Sequence, residues 1–213
     1  MTMPAAPERS RNVLPVAIAV LGALSLATIV LLRLFVFQIF SVPTVGMSPT
    51  LYDDDMLILA KRAYVDAEPQ RGDVVVVNLP GQGTQWVKRV VGLPGDRIQM
   101  VDGRLLINGV AVKTTRLADI ADPDIDAGKP HAVIRETLAN GRSWRTLDLG
   151  RGELDNTAIF QVPPDCYFLI GDNRDDSDDS RTDLGYVKRA DVLGKVVERV
   201  ILHGGFGGFE HVE

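Results

Sequence analysis

The chain has 213 residues and a net charge of −5, with 46% hydrophobic and 24% charged residues. This composition argues against a disordered chain. It also excludes a nucleic-acid partner, because such binding needs a basic face and no run of Lys and Arg supplies one. The one cysteine, Cys166, has no second thiol for a disulfide or a zinc site, so we interpret it as a core residue. We expect neither a metal nor a cofactor.

The first predicted element is a membrane anchor. Residues 12–32 are mostly apolar, and about 20 helical residues span a hydrocarbon core of about 30 Å. The apolar run is too long for a cleaved signal peptide, and no small-residue cleavage site follows it. We therefore predict an N-terminal tail of residues 1–11 and a retained anchor with a membrane-proximal segment, residues 12–40. Arg9 and Arg11 favour a cytoplasmic N-terminus, which puts the rest of this single-pass protein outside the cytoplasm of a cell membrane.

Beyond the anchor the sequence predicts an all-β domain. Short β-branched runs alternate with turns, and no long segment has the helical period of 3.6 residues. Hairpins are predicted at Asn108-Gly109 and around Asn140-Gly141, because these turn residues tolerate positive φ. The predicted strands cover residues 56–59, 74–77, 86–91, 104–107, 110–112, 131–138, 143–149, 167–170 and 192–202.

The predicted domain has a main β core and an insertion. We assign residues 41–102 and 164–202 to the core, and residues 103–163 to an inserted smaller β subdomain. Residues 114–130 are rich in Asp, Ala, Pro and Gly and predict a surface loop. The glycine-rich tail, residues 203–213, is expected to be loosely held.

Three segments carry residues that could do chemistry. They are residues 42–51 (VPTVGMSPTL), 87–96 (VKRVVGLPGD) and 171–181 (GDNRDDSDDSR). Taken singly, they also fit a turn-rich linker, a solvated edge strand and an acidic surface loop. A calcium site in the third segment is disfavoured, because its carboxylates lack the alternating spacing of a calcium loop and two arginines intrude.

Together, in this order after an anchor, the three segments resemble the signal peptidase I family. The resemblance extends from the anchor to about Val197, and it includes Arg71-Gly72-Asp73 before a valine run and Val162-Pro163-Pro164 before Tyr167-Phe168. It implies a signal-peptidase-like β core and a membrane-bound serine endopeptidase that removes signal peptides from secretory preproteins. In such an enzyme a neutral lysine takes the proton of a serine nucleophile.

The resemblance also implies a role for each matching residue. Lys88 is the general base, Ser177 orients it, and Asp179 and Arg181 brace the site by a salt bridge. Thr44 contributes to the oxyanion hole. A lysine base must have a lowered pKa, which burial among apolar neighbours supplies. Shallow pockets for small preprotein side chains are implied at Val42, Leu51, Trp86 and Val87.

The sequence departs from the family pattern at the nucleophile. The family segment reads Pro-Ser-x-Ser-Met-x-Pro-Thr-Leu, and its second serine falls on Gly46, which has no side chain. The chain is therefore predicted to be impaired or inactive. Ser48 and Thr44 are weaker candidates for a substitute nucleophile, because residues two apart in an extended chain are separated by about 6.5 Å. Pro49 also favours an extended Ser48.

Two functions stay open at this point. One is a peptidase that uses another nucleophile or that carried serine before a change. The other is a non-catalytic, membrane-anchored homologue that binds exported chains. Lys88, Ser177 and Asp179 favour a site built for chemistry, because a buried lysine costs several kilocalories per mole and is not needed for binding alone.

Overall fold

A computed structural model describes residues 13–41, 45–53, 55–78, 83–150, 152–201 and 208–212. Their first element is the α-helix α1 (Val13–Phe35). Its window Leu14–Leu31 has a mean hydropathy of 2.5, and none of it is buried against the rest of the described chain. The helix is long and apolar enough to cross a membrane, so the predicted apolar helix is confirmed.

The other described elements are mainly β-strands. They are β1 (Phe37–Ser41), β2 (Met56–Ala60), β3 (Val74–Asn78), β4 (Gln85–Gly92), β5 (Arg97–Val101), β6 (Arg104–Ile107), β7 (Val110–Ala111), β8 (Lys113–Arg116), β9 (Ile120–Ala121), β10 (Pro130–Thr137), β11 (Ser143–Asp148), β12 (Phe160–Gln161), β13 (Cys166–Ile170), β14 (Val187–Lys188), β15 (Val192–Ile201) and β16 (Gly208–His211).

The largest sheet has the order β1-β2-β15-β3-β4-β13-β14, with β16 also paired to β15. Its strand β3 is buried on both faces. Val74 and Val76 pack in one apolar cluster, while Val75 and Val77 pack in another. Successive side chains of a strand point to opposite faces, so two cores flank this strand. That is why its sequence is a continuous valine run rather than an alternation.

Two smaller sheets contain most of the predicted insertion. One has the order β12-β5-β6-β7, and the other has β11-β10-β8 with β9 paired to β10. Both predicted hairpins are confirmed. Asn108 and Gly109 have φ angles of 53° and 80°, as a two-residue turn requires, and Gly141 has a φ angle of 87° in the β10–β11 connection.

The insertion shares a core with the main sheet. Trp144 of β11 packs in one cluster with Val91 of β4 and Phe168 of β13. Strand β5 precedes residue 103 and pairs with β6. The boundaries of the insertion at residues 103 and 163 therefore stay a prediction. Residues inside and outside these boundaries pack in one shared core.

Three segments differ from expectation. Residues 37–40, assigned to the membrane-proximal segment with no strand predicted there, form strand β1 together with Ser41 and pair with β2. The predicted loop 114–130 contains the end of β8 and the whole of β9. The C-terminal tail is not loose at residues 208–212, since β16 pairs with β15 and Val212 is buried in the core. In each case pairing with another strand supplies the order that local composition does not predict.

Candidate active site

Strand β4 places Lys88 in an apolar setting. Its partner on β3 is Val75, and its strand neighbours on the same face are Trp86 and Val90. The Trp86 ring centroid lies 5.9 Å from Lys88 Nζ. Lys88 is only 3% exposed. Burial lowers the pKa of Lys88, although the carboxylates of Asp179, Asp178 and Asp172 act in the opposite direction.

Gly46 lies directly opposite the lysine amine. It belongs to a short 3₁₀ helix, Val45–Met47, and it is buried. A Cβ atom built on Gly46 would lie 3.2 Å from Lys88 Nζ and 3.5 Å from Ser177 Oγ. Gly46 is not among the residues with positive φ, so its backbone conformation does not require glycine. The contact between this Cβ and Lys88 Nζ is tight, but Nζ is the end of a flexible side chain and can shift.

The acidic loop, defined here as residues 171–181, brings a hydroxyl to the same point. Ser177 Oγ is buried and has no hydrogen-bond partner among the described residues. The backbone N–H of Asn173 donates to the carbonyl of Gly46 at 3.2 Å. A Cβ on Gly171 would lie only 2.1 Å from Ser177 Oγ, so this position has room for glycine alone. The loop and the 3₁₀ helix therefore pack backbone against backbone beside Lys88.

Asp179 and Arg181 form a closed ion pair inside the loop. Arg181 Nε donates to Asp179 Oδ1 at 2.9 Å, and Nη2 donates to Oδ2 at 2.8 Å. Their side chains are 0% and 1% exposed. Asp179 also accepts the backbone N–H of Gly171 at 2.9 Å. This bidentate pair fixes the chain on both sides of Ser177.

A second buried ion pair joins the acidic loop to β4, and sequence reasoning assigned it no role. Arg89 Nε and Nη2 donate to the two carboxylate oxygens of Asp172 at 2.8 and 2.7 Å, with both side chains 0% exposed. Thr50 Oγ1 donates to Asp172 as well. One signal was available. An arginine within a buried valine strand needs a carboxylate partner, and the first acidic residue of the loop is Asp172.

Breaking this pair should strongly destabilise the fold. We expect Asp172→Ala to lower the free energy of unfolding by about 3–5 kcal/mol, because it leaves the Arg89 charge buried and uncompensated. Chemical denaturation in detergent measures the change. Asp119→Ala is the matched control, since its pair with Arg116 is exposed and should contribute about 1 kcal/mol or less. Equal losses in the two variants would contradict the role given to Asp172.

The structure brings five predicted site residues together: Gly46, Lys88, Ser177, Asp179 and Arg181. Val42 and Thr44 lie outside the described residues. Trp86 and Val87 line a cleft of about 410 Å³ beside Lys88 and Ser177. Leu51 is fully buried in the core, in one cluster with Val87.

Ser48 is in a different setting from the one expected. Residues 45–47 form a 3₁₀ helix and not an extended chain, so the expected separation of two extended residues does not apply. Instead, Ser48 is fully buried, and its hydroxyl donates to the carbonyl of Leu51 at 3.3 Å. The Ser48 hydroxyl is thus engaged within its own turn.

The fold and site define a β protein behind an apolar helix, with a buried lysine opposite a glycine. A family model described as "Signal peptidase, peptidase S26" matches residues 14–201. The chain belongs to the signal peptidase I family. It is 32% identical to signal peptidase I of Rickettsia typhi (strain ATCC VR-144 / Wilmington) in an alignment of length 192, and the match covers 77% of this chain and 72% of the relative.

Two further similarities have been found. Signal peptidase I of Rickettsia akari (strain Hartford) is 32% identical in an alignment of length 193, and the match covers 78% of this chain and 71% of the relative. A crystal structure of a signal peptidase I from Enterococcus faecalis V583 is 30% identical, with a TM-score of 0.36. The match covers 60% of this chain and 96% of that one.

Proposed function

We propose that this chain has the site of a membrane-bound endopeptidase that removes signal peptides from exported preproteins, with its nucleophile position at Gly46. The observation that carries the proposal is the geometry around Gly46. A side chain there would point at Lys88 Nζ and Ser177 Oγ, 3.2 and 3.5 Å from its Cβ. Because Gly46 itself offers no hydroxyl, the chain as it stands is impaired or inactive.

Each group has a role in this proposal. Burial raises the neutral fraction of Lys88 at a given pH, and a neutral amine accepts the proton of an attacking hydroxyl. Ser177 orients the amine, and the Asp179–Arg181 pair holds Ser177 in place. Thr44 supplies an oxyanion-hole hydroxyl. The small side chains before the scissile bond are received by Val42, Trp86 and Val87, while the fully buried Leu51 supports Val87 from the core.

The substitute nucleophile Ser48 is disfavoured within this proposal. Its hydroxyl is buried and already donates to Leu51. A nucleophile must instead be free to donate its proton to the base while it attacks.

A non-catalytic function is the second candidate. The absent side chain at Gly46 favours this function, since it removes the nucleophile and leaves a cleft of about 410 Å³ beside Lys88 in which a peptide could bind. In this case the chain binds the signal peptides of exported proteins and releases them intact.

The proposed topology follows from the helix and the flanking charges. Helix α1 crosses the bilayer once, with Arg9 and Arg11 on the cytoplasmic side and the β domain on the other side. The partners are then the lipid bilayer and secretory preproteins, which emerge on the side of the β domain.

Substrate selectivity tests the proposed function. A preprotein with Ala-x-Ala before its cleavage site should be cut by the Gly46→Ser variant with a kcat/KM about 100-fold above that of a version with Leu at both alanine positions, because a shallow pocket rejects larger side chains. Gel analysis of cleavage in detergent measures the ratio. Equal cleavage of the two preproteins would overturn the pocket assignment. Binding of the Ala-x-Ala form without cleavage by Gly46→Ser would favour the second candidate.

A further inference from the structure

A buried ion pair links the predicted insertion to the acidic loop. Glu136 of β10 is 2% exposed, and its two carboxylate oxygens accept Nη1 and Nη2 of Arg174, both at 2.6 Å. Trp144 Nε1 of β11 donates to the same carboxylate at 3.0 Å. This is a bidentate contact with a third donor, which fixes the orientation as well as the position of Arg174.

The backbone of β11 binds the same loop. The N–H of Leu147 donates to the carbonyl of Asp172 at 2.8 Å, and the N–H of Arg174 donates back to the carbonyl of Leu147 at 3.1 Å. Leu147 and Asn173 form a parallel bridge. A little further on, the N–H of Leu149 donates to the carboxylate of Asp175 at 2.7 Å. Strand β11 and the residue that follows it therefore hold four consecutive residues of the loop, 172–175.

The opposite side of this stretch faces the nucleophile position. The N–H of Asn173 donates to the carbonyl of Gly46 at 3.2 Å, and its side-chain amide donates to the carbonyl of Val45 at 3.4 Å. The Asn173 side-chain oxygen accepts the N–H of Asp176, the residue before Ser177. A single residue thus connects the strand of the insertion, the segment of Gly46 and the approach to Ser177.

The charge of Arg174 needs Glu136 for a specific reason. Burial is the strongest influence and acts to lower the pKa of Arg174. The charge and hydrogen bonds of Glu136, together with the charges of Asp172 and Asp179, act in the opposite direction, so the net pKa is raised. Without Glu136 the guanidinium would be attracted to Asp172 and Asp179. Those carboxylates already hold Arg89 and Arg181, and any competition for them would displace the loop.

We infer that Glu136 and Arg174 are positioning residues, through which the insertion sets the place of Ser177 and Asn173 relative to residue 46 and Lys88. The inference rests on the proposed function for its catalytic meaning. Its structural content is independent, because it concerns the hydrogen bond between Asn173 and Gly46.

The test compares two variants in the full-length Gly46→Ser chain in detergent. Glu136→Gln keeps the shape of the side chain and removes the charge. Asp96→Asn is the matched control, because it weakens the half-buried pair of Arg71 and Asp96 outside the loop. In Glu136→Gln we expect kcat for preprotein cleavage to fall about 10–100-fold with KM changed less than about 3-fold, as for an interaction used mainly in the transition state. Asp96→Asn should keep the kcat of the Gly46→Ser parent, even if its free energy of unfolding falls as much as that of Glu136→Gln.

A second measurement does not need activity. Amide hydrogen exchange should become about 10-fold faster at Asn173 in Glu136→Gln, while the control leaves that amide protected, because local opening of a loop is separable from global unfolding. If Glu136→Gln does not fold, Glu136→Leu with Arg174→Met removes both charges and carries the same expectations. Parent-like kcat and Asn173 exchange in the folded variant would overturn the inference. The two proposals can also fail separately. If the Gly46→Ser parent is inactive but Glu136→Gln still speeds amide exchange at Asn173, the inference is supported and the proposed function is refuted.

Discussion

The Gly46→Ser variant is expected to cleave a preprotein at least about 10³-fold faster than the unmodified chain, judging by the rates lost when serine proteases lose a nucleophile. The backbone of Gly46 accepts serine without a left-handed conformation. The new Cβ would meet the tip of Lys88 and the hydroxyl of Ser177, so base and orienting group are already in place. Single-turnover cleavage in detergent measures the gain.

Two control variants separate the chemistry from packing. Gly46→Ala adds the same Cβ without a hydroxyl and should stay as slow as the unmodified chain. Ser48→Ala should leave the rate of Gly46→Ser close to its parent. Robust cleavage by the unmodified chain that survives Gly46→Ala and is lost in Ser48→Ala would make Ser48 the nucleophile. A folded but inactive Gly46→Ser variant would favour the binding function.

The elements anticipated from the sequence are those with a local signal. The apolar length of α1 and the positive-φ turn at Asn108-Gly109 each act within a few residues. Strands β1 and β16 have no such signal. Each is ordered by pairing with an adjacent strand of the sequence, β2 for the first and β15 for the second. The composition of these two segments alone therefore misses them.

The site likewise contains residues that the sequence predicts and residues that it does not. The resemblance to a family located Lys88, Gly46 and Ser177, and the structure places them side by side, while their catalytic roles stay predictions. The two ion pairs that join the acidic loop to other strands, Arg89–Asp172 and Glu136–Arg174, were not foreseen. The partners Arg89 and Asp172 are 83 residues apart in the chain, and those of the Glu136 pair are 38 apart. Pairing of this kind depends on which strands meet, which local patterns do not encode.

Replacing the lysine should abolish the activity gained at Gly46. In the Gly46→Ser background, Lys88→Met is expected to lower kcat by about 10⁴-fold or more, the scale on which a serine protease loses rate without its base. Methionine has a similar length and lacks the amine. Lys188→Met is the control, because Lys188 is an exposed residue on β14, and it should leave kcat unchanged.

The pH dependence tests the same residue through its charge. Burial lowers the pKa of Lys88 below its ordinary value, and only the neutral amine accepts a proton, so kcat of Gly46→Ser should rise with pH and level off above this lowered pKa. The same shift affects stability. Protonation of Lys88 is less favourable in the folded than in the unfolded chain, so its cost is fully present below the folded pKa and disappears as pH rises to the unfolded value. Lys88→Met should therefore exceed its parent in free energy of unfolding at neutral pH, with the gap closing at alkaline pH. A gap independent of pH, or a kcat that falls as pH rises towards neutrality, would show that Lys88 is not the neutral base that the site requires.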